Sequence, residues 1–213
     1  MFTRLRGYRI IPSVDSINAE EAVKIADALV EAELPVLEIM YRSHRDALVI
    51  RAILERHPNF IIGVGGILNA DLVLRAADAN ARFLTSPGYN LAAINEAKQN
   101  GIAFASGVCT PTDVGNTITA GILDMHFFPA QYFGGAAMLS ELLGPFSHLN
   151  VNVVAKGGIT VDNMHEYLRL SSVAAIVCPW IVGDVQYKNW DSITENAINA
   201  RKLSTEKQTV YFA

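Results

Sequence analysis

Three residues of this chain carry side chains suited to covalent or proton-transfer chemistry and stand in apolar runs that would normally exclude them. Lys156 follows Val151-Asn152-Val153-Val154-Ala155 and precedes Gly157-Gly158-Ile159-Thr160, the pattern of a buried strand, a glycine turn and a helix start. A lysine placed there is costly to bury while charged, and burial favours the neutral amine, which attacks carbonyl carbons. Its plainer reading is a cation beside helix N-terminal amides, which makes an anion site. Glu38 lies within Val36-Leu37-Glu38-Ile39-Met40. A lone carboxylate in such a run is expected to have its pKa raised towards neutrality, which suits a proton shuttle. Its plainer reading is an ion pair with Arg42 or Arg9. His126 ends Leu123-Asp124-Met125-His126. A neutral imidazole there can accept a hydrogen bond from an amine or move a proton, and a protonated one would depress a neighbouring lysine.

The elements that must position these groups alternate. Short apolar runs at Tyr8–Val14, Val36–Met40, Phe60–Val64, Arg82–Thr85, Ile102–Ala105, Leu123–Phe127, Val151–Ala155 and Val173–Val177 read as strands. Helical spacing follows each one. It runs from Asn18 or Ala19 to Ala32, then over Ser43–Leu54, Ala70–Ala77 and Asn90–Lys98. It continues from Thr110 or Thr112 to Ala120, and over Gly134–Leu143, Val161–Leu170 and Trp190–Leu203. Asn18 and Asn69 suit the N-cap role. Strands alternating with helices predict a parallel sheet, and eight unbroken units predict a closed (β/α)8 TIM barrel forming a single domain over residues 1–213. A doubly wound open sheet is the competing α/β architecture. In a barrel the site sits at the carboxyl ends of the strands. Strand side chains alternate faces, so Asp124, His126 and Phe128 share the inward face, as do Asn152, Val154 and Lys156. Neighbouring strands are ~4.8 Å apart, which puts Lys156 beside His126.

Composition narrows the classes of function. Of 213 residues, 51% are hydrophobic and 18% charged, a globular balance, and a net charge of −4 offers no basic patch for nucleic acid. Cys109 and Cys178 have neither CxxC nor metal spacing, which suggests a reducing compartment, and the cytoplasm is the expected location. No signal peptide or membrane span is expected. His126 and Glu38 together offer two ligands, but no HxH or HExxH spacing accompanies them, so no metal site is expected; a metal-dependent pyruvate aldolase or decarboxylase remains a minor alternative.

Several segments resemble the small class I aldolases that cleave 2-keto-3-deoxy-6-phosphogluconate or 4-hydroxy-2-oxoglutarate. His126-Phe127-Phe128-Pro129-Ala130 is similar to the family's Lys-Phe-Phe-Pro-Ala, whose lysine forms the Schiff base; His126 occupies that position here. Leu37-Glu38, followed by Arg42-Ser43, resembles the motif whose glutamate is the general acid/base and whose arginine binds the substrate carboxylate. Gly63-Val64-Gly65-Gly66-Ile67-Leu68 resembles Gly-x-Gly-Thr-Val-Leu, with Gly66 in place of the threonine. Ser86-Pro87-Gly88 matches the family's Ser-Pro-Gly turn, and the segment containing Thr110 resembles its Pro-Gly-x-x-Thr; Thr110 reads equally as a helix cap. Gly157-Gly158 matches half of the family's phosphate site, while Val177-Cys178-Pro179-Trp180 lacks the Gly-Gly-Ser-Trp of the other half, and Pro179 has no N–H to donate. Asp15 lies where many members carry an arginine.

The resemblance implies a barrel and a carbon–carbon lyase that releases pyruvate from a small 2-oxo acid without an external cofactor. The strand pattern offers Lys156, with His126 beside it, for catalysis, and the resemblance assigns Glu38 to it. It assigns Arg42, Gly66, Pro87, Thr110, Phe128, Gly157 and Gly158 to substrate binding, and it implies a homotrimer. The departures point to an unphosphorylated substrate. The competing class of function is a sugar-acid-binding homologue that has lost catalysis.

Overall fold

The computed structural model describes residues 1–15, 17–43, 45–183 and 189–205. Eight parallel strands close into one barrel in sequence order, β1 pairing with both β2 and β8. The strands are β1 (Ile10–Asp15), β2 (Val36–Met40), β3 (Ile61–Gly65), β4 (Phe83–Thr85), β5 (Ala103–Val108), β6 (Asp124–Phe127), β7 (Asn152–Ala155) and β8 (Val173–Cys178). The expected TIM barrel is therefore the observed fold, and the open sheet is excluded. Each strand sits within a few residues of its sequence-based placement, because a buried parallel strand must be apolar on both faces and so reads as a continuous run.

The helices are α1 (Phe2–Leu5), α2 (Ala19–Glu31), α3 (Asp46–Arg56), α4 (Ala70–Asp78), α5 (Leu91–Gln99), α6 (Pro111–Thr119), α7 (Gly135–Leu143), α8 (Met164–Leu168) and α9 (Trp190–Thr205). Local chemistry sets their starts. Asn18 accepts from the Glu21 amide and the Glu21 carboxylate accepts from the Asn18 amide, a complete capping box. Asn69 and Asn90 cap α4 and α5, and Thr110 with Asp113 caps α6. The third helix begins later than Ser43: the Asp46 carboxylate accepts from the Arg42 and Ser43 amides, which fixes those residues as a loop. The helix expected over Val161–Leu170 is only Met164–Leu168, because Asn163 Oδ1 accepts from the Thr160 amide and turns the segment before it becomes helical.

The short helix α1 was absent from the sequence-based expectation. Four residues carry too little periodicity to register, yet Phe2 and Leu5 are fully buried. Phe2 meets Phe83 edge to face, with ring centroids 5.6 Å apart. Phe83 occupies the space left by Gly63, where an added Cβ would come within 2.0 Å of the ring. The aromatic pair fills the barrel towards its amino end. Beside it, Arg6 donates to Asn152 Oδ1 (3.0 Å) and Asn152 donates to Asp124 Oδ1 (3.0 Å). The inward face of Asp124 and Asn152 is thus as alternation required.

Candidate active site

At the opposite, carboxyl end the inward-facing polar side chains converge. Glu38 is fully buried at the middle of β2, and Lys156 projects from the residue after β7 with its side chain only 12% exposed. Lys156 Nζ lies 2.5 Å from Glu38 Oε2 and 3.0 Å from Met40 Sδ. Thr85, the last residue of β4, donates its hydroxyl to Glu38 Oε1 at 2.7 Å. Both carboxylate oxygens are therefore engaged, each by a different strand. Gly65 makes the room: a Cβ there would lie 3.0 Å from the Glu38 carboxyl carbon and 2.7 Å from Met40 Sδ.

His126 stands on β6, adjacent to β7, and is buried. Its Nδ1 lies 2.8 Å from the Ser86 carbonyl oxygen. A carbonyl only accepts, so Nδ1 carries the hydrogen and the neutral ring presents a bare lone pair at Nε2. That Nε2 is buried and has no hydrogen-bond partner among the described residues. Phe128 stacks on the imidazole, with centroids 5.5 Å apart and planes 16° from parallel.

The electrostatics correct one expectation. Burial pushes the Glu38 pKa up, as anticipated. The Lys156 ammonium and the hydrogen bonds from Lys156 and Thr85 outweigh it, and the carboxyl is held below its ordinary range. Glu38 is an anion at neutral pH, not a carboxyl poised near neutrality. Burial lowers the His126 pKa and prevails over the opposing pull of Glu38 and the Ser86 carbonyl, so the ring is neutral at pH 7. The sequence-based ion-pair reading of Glu38 named Arg42 or Arg9; the partner is Lys156. Arg9 instead donates to the carbonyls of Leu168 and Val173.

The turn that presents Lys156 is built from backbone. Gly157 and Gly158 have φ of 105° and 73°, a left-handed pair that glycine adopts without strain. The Lys156 amide donates to the Phe127 carbonyl (3.1 Å), and the Lys156 and Gly157 carbonyls accept from the Ala130 and Gln131 amides (2.8 and 2.9 Å). Phe127 at the end of β6, with Ala130 and Gln131 after it, thus fixes the backbone of Lys156 and Gly157. The Phe128–Pro129 peptide within this segment is cis.

The other candidate residues divide. Phe128, Gly157 and Gly158 border the Lys156 cluster, and Gly66 (φ 79°) follows Gly65 beside Met40. Arg42 is exposed and forks onto Asp15, with Nη2 2.9 Å and Nε 3.1 Å from Oδ2. Thr110 is exposed and committed to capping α6. Pro87 is exposed in the turn after β4. That turn folds onto Gly107, where a Cβ would meet Gly88 N at 2.2 Å, and Ser86 Oγ accepts from the Gly107 amide (3.0 Å). Sequence reasoning passed over Thr85, Met40 and the Ser86 carbonyl. The available signal was alternation, since Thr85 shares its face with Phe83 and Met40 shares its face with Glu38. The metal alternative lacks a ligand set: among the described residues no group of three or more His, Cys, Asp or Glu could hold an ion. Among the same residues no helix is long and apolar enough to cross a membrane.

The sequence model of the KDPG and KHG aldolases matches residues 1–196. The chain belongs to this aldolase family. It is 32% identical over 192 residues to the 2-dehydro-3-deoxy-phosphogluconate aldolase of Haemophilus influenzae, covering 89% of this chain and 90% of the relative. To the KHG/KDPG aldolase of Escherichia coli it is 32% identical over 193 residues, 90% of each chain. The KDPG aldolase of Legionella pneumophila, solved with pyruvate captured at low pH as a covalent carbinolamine intermediate, superposes with a TM-score of 0.87 at 27% identity, over 93% of this chain and 97% of the other. The 2-keto-3-deoxy-6-phospho-gluconate aldolase of Zymomonas mobilis superposes with a TM-score of 0.87 at 28% identity, over 97% of each chain. The family's members are lyases, and the barrel is theirs.

Proposed function

We propose that this chain is a Schiff-base aldolase whose nucleophile is Lys156, and that it cleaves an unphosphorylated 4-hydroxy-2-oxo acid such as 4-hydroxy-2-oxoglutarate to pyruvate and an aldehyde. The observation that carries the reading is the buried contact of Lys156 Nζ with Glu38 Oε2 at 2.5 Å, inside the end of the barrel where this fold performs chemistry. Covalent capture of pyruvate by the Legionella relative supports an amine nucleophile in this family.

Lys156 gives its proton to Glu38 Oε2, the acceptor 2.5 Å away, and its freed amine adds to C2 of the substrate to form a carbinolamine, from which His126 Nε2 accepts a hydrogen bond. The carbinolamine hydroxyl takes that proton from Glu38 and leaves as water, which gives the iminium and returns Glu38 to its anion. Glu38 Oε2, an anion again and no longer facing an ammonium, takes the proton of the C4 hydroxyl and later returns it to C3. The C3–C4 bond breaks, its electron pair enters the iminium as an enamine, and the aldehyde departs. Protonation at C3 and hydrolysis return pyruvate and the free amine. No external cofactor enters, because the iminium is the electron sink. Phe128 packs against the apolar face of the substrate, and the Gly157-Gly158 turn lets backbone approach it. Arg42 meets the substrate carboxylate only by exchanging it for Asp15.

The unphosphorylated substrate is favoured by two features. Pro179 follows fully buried Cys178 and has no N–H for a phosphate oxygen, and Asp15 neutralises the Arg42 guanidinium. The same reading has the chain acting in the cytoplasm as a homotrimer, as the family resemblance implies. The test is pyruvate release. Wild type is expected to prefer 4-hydroxy-2-oxoglutarate to a phosphorylated 4-hydroxy-2-oxo acid. Lys156→Met is expected to lose activity by more than about 10⁴-fold, beyond the roughly 10²–10⁴ that proton transfer alone supplies. Full activity in that variant would assign the nucleophile elsewhere, and preference for the phosphorylated acid would refute the substrate class.

A further inference from the structure

We infer that Thr85 is the positioning residue that divides the labour of the Glu38 carboxylate, reserving Oε1 as a fixed anchor and leaving Oε2 as the oxygen that faces Lys156. The inference rests on the aldolase reading of this site and extends it to a residue that touches neither the amine nor, in that reading, the substrate. Thr85 is fully buried, and its hydroxyl donates to Oε1 at 2.7 Å while Lys156 Nζ lies 2.5 Å from Oε2. An ionised carboxylate only accepts, so the Thr85 hydrogen is committed to Oε1 for as long as Glu38 is charged. The carboxylate plane is then set by two strands, and rotation about the terminal torsion of Glu38, otherwise broad, is removed.

The hydroxyl is itself held by a rigid frame. Thr85 pairs in register with Gly65 on β3 and Ala105 on β5. The next residue, Ser86, bonds Gly88 O and the Gly107 amide through its hydroxyl and orients His126 through its carbonyl. One strand end therefore aims both proton-handling groups: the side chain of Thr85 aims Glu38, and the backbone of Ser86 aims His126. The hydrogen bond also favours the anion of Glu38, in the same sense as the Lys156 charge.

The isosteric variant Thr85→Val keeps the shape and removes the donor. Expected is a fall in kcat of about ten- to a hundredfold with KM within about threefold of wild type, since proton transfer depends on aim. The acid limb of the kcat/KM profile should also move to higher pH, because Glu38 loses a bond that favours its charged form. Thr85→Ser, which keeps the hydroxyl, should restore both. A merely structural threonine would lower the amount of folded enzyme and leave the pH profile in place; that result, or failure of serine to rescue, overturns the inference. A measurement on wild type needs no variant to fold: ¹³C NMR of labelled glutamate side chains should show Glu38 ionised below the ordinary 4.5. Titration at or above that value overturns the inference directly. Borohydride trapping of pyruvate on wild type separates the two failures, because absence of an adduct on Lys156 defeats the aldolase reading whatever Thr85 does.

Discussion

The two ends of the barrel carry matched polar clusters on the same pair of strands, and they are resolved in opposite ways. At the amino end Asp124 of β6 meets Asn152 of β7; at the carboxyl end His126 of β6 stands beside Lys156 after β7. At the amino end the charged and amide groups are bonded to one another. Arg6 bonds Asn152 and the Ser171 carbonyl, and Asn152 bonds Asp124. A cavity of about 710 Å³ opens there, lined among others by Arg6, Asn152, Ser171 and Ser172. At the carboxyl end an amine faces a carboxylate, and a buried imidazole nitrogen has no partner among the described residues. Satisfied polar networks rigidify a core, whereas an unsatisfied buried group is costly and is kept where chemistry needs it.

Lys156→Met should open the widest gap between the ends. It leaves the fully buried Glu38 charge without its partner, at a cost of about 3–5 kcal/mol in chemical denaturation. Adding Glu38→Gln to it should recover part of that loss, because the uncompensated charge is gone; no recovery would mean that the pair is not coupled. Asn152→Ala strikes the matching position at the amino end. The expected loss there is about 1–3 kcal/mol with kcat unchanged, because Asp124 and Arg6 lose a partner but no reacting group moves. A large drop in kcat would erase the distinction between a structural and a reactive end.

The smallest effect is confined to a pH window. The folded His126 pKa lies below the ordinary 6.5, so the unfolded chain binds the extra proton first. This contribution to stability is present above 6.5 and is lost as pH falls through the folded value. Wild type minus His126→Asn should therefore show a stability difference that shrinks with acidification below 6.5 and is flat above it. A difference that grows with acidification would mean that the ring is charged in the fold.

The barrel was legible because its strands are apolar on both faces and its helices announce themselves with Asn and Thr caps. The inward placement of His126 and Lys156 followed from two-residue alternation alone. Partnerships were less legible, because they depend on side chains meeting across the barrel. The plainer reading of Glu38 pairs it with Arg42 or Arg9, whereas its partner is 118 residues away. The direction of its pKa shift was missed for the same reason: burial is visible in a strand pattern, and a compensating ammonium from β7 is not. Arg42 was assigned to substrate, but Asp15 from the neighbouring strand end claims its fork. Thr85 was hidden within a Ser-Pro-Gly turn motif whose glycine and proline drew the reading, although Phe83 on the same face already marked that side as interior.

The central claim is that the reacting amine belongs to Lys156. Incubating the protein with pyruvate and borohydride, then mapping peptides by mass, tests it most directly. The account predicts a reduced pyruvyl adduct on the peptide containing Lys156, absent from Lys156→Met. An unmodified chain would favour a sugar-acid-binding role, and an adduct on a different lysine would move the nucleophile; either result contradicts the account.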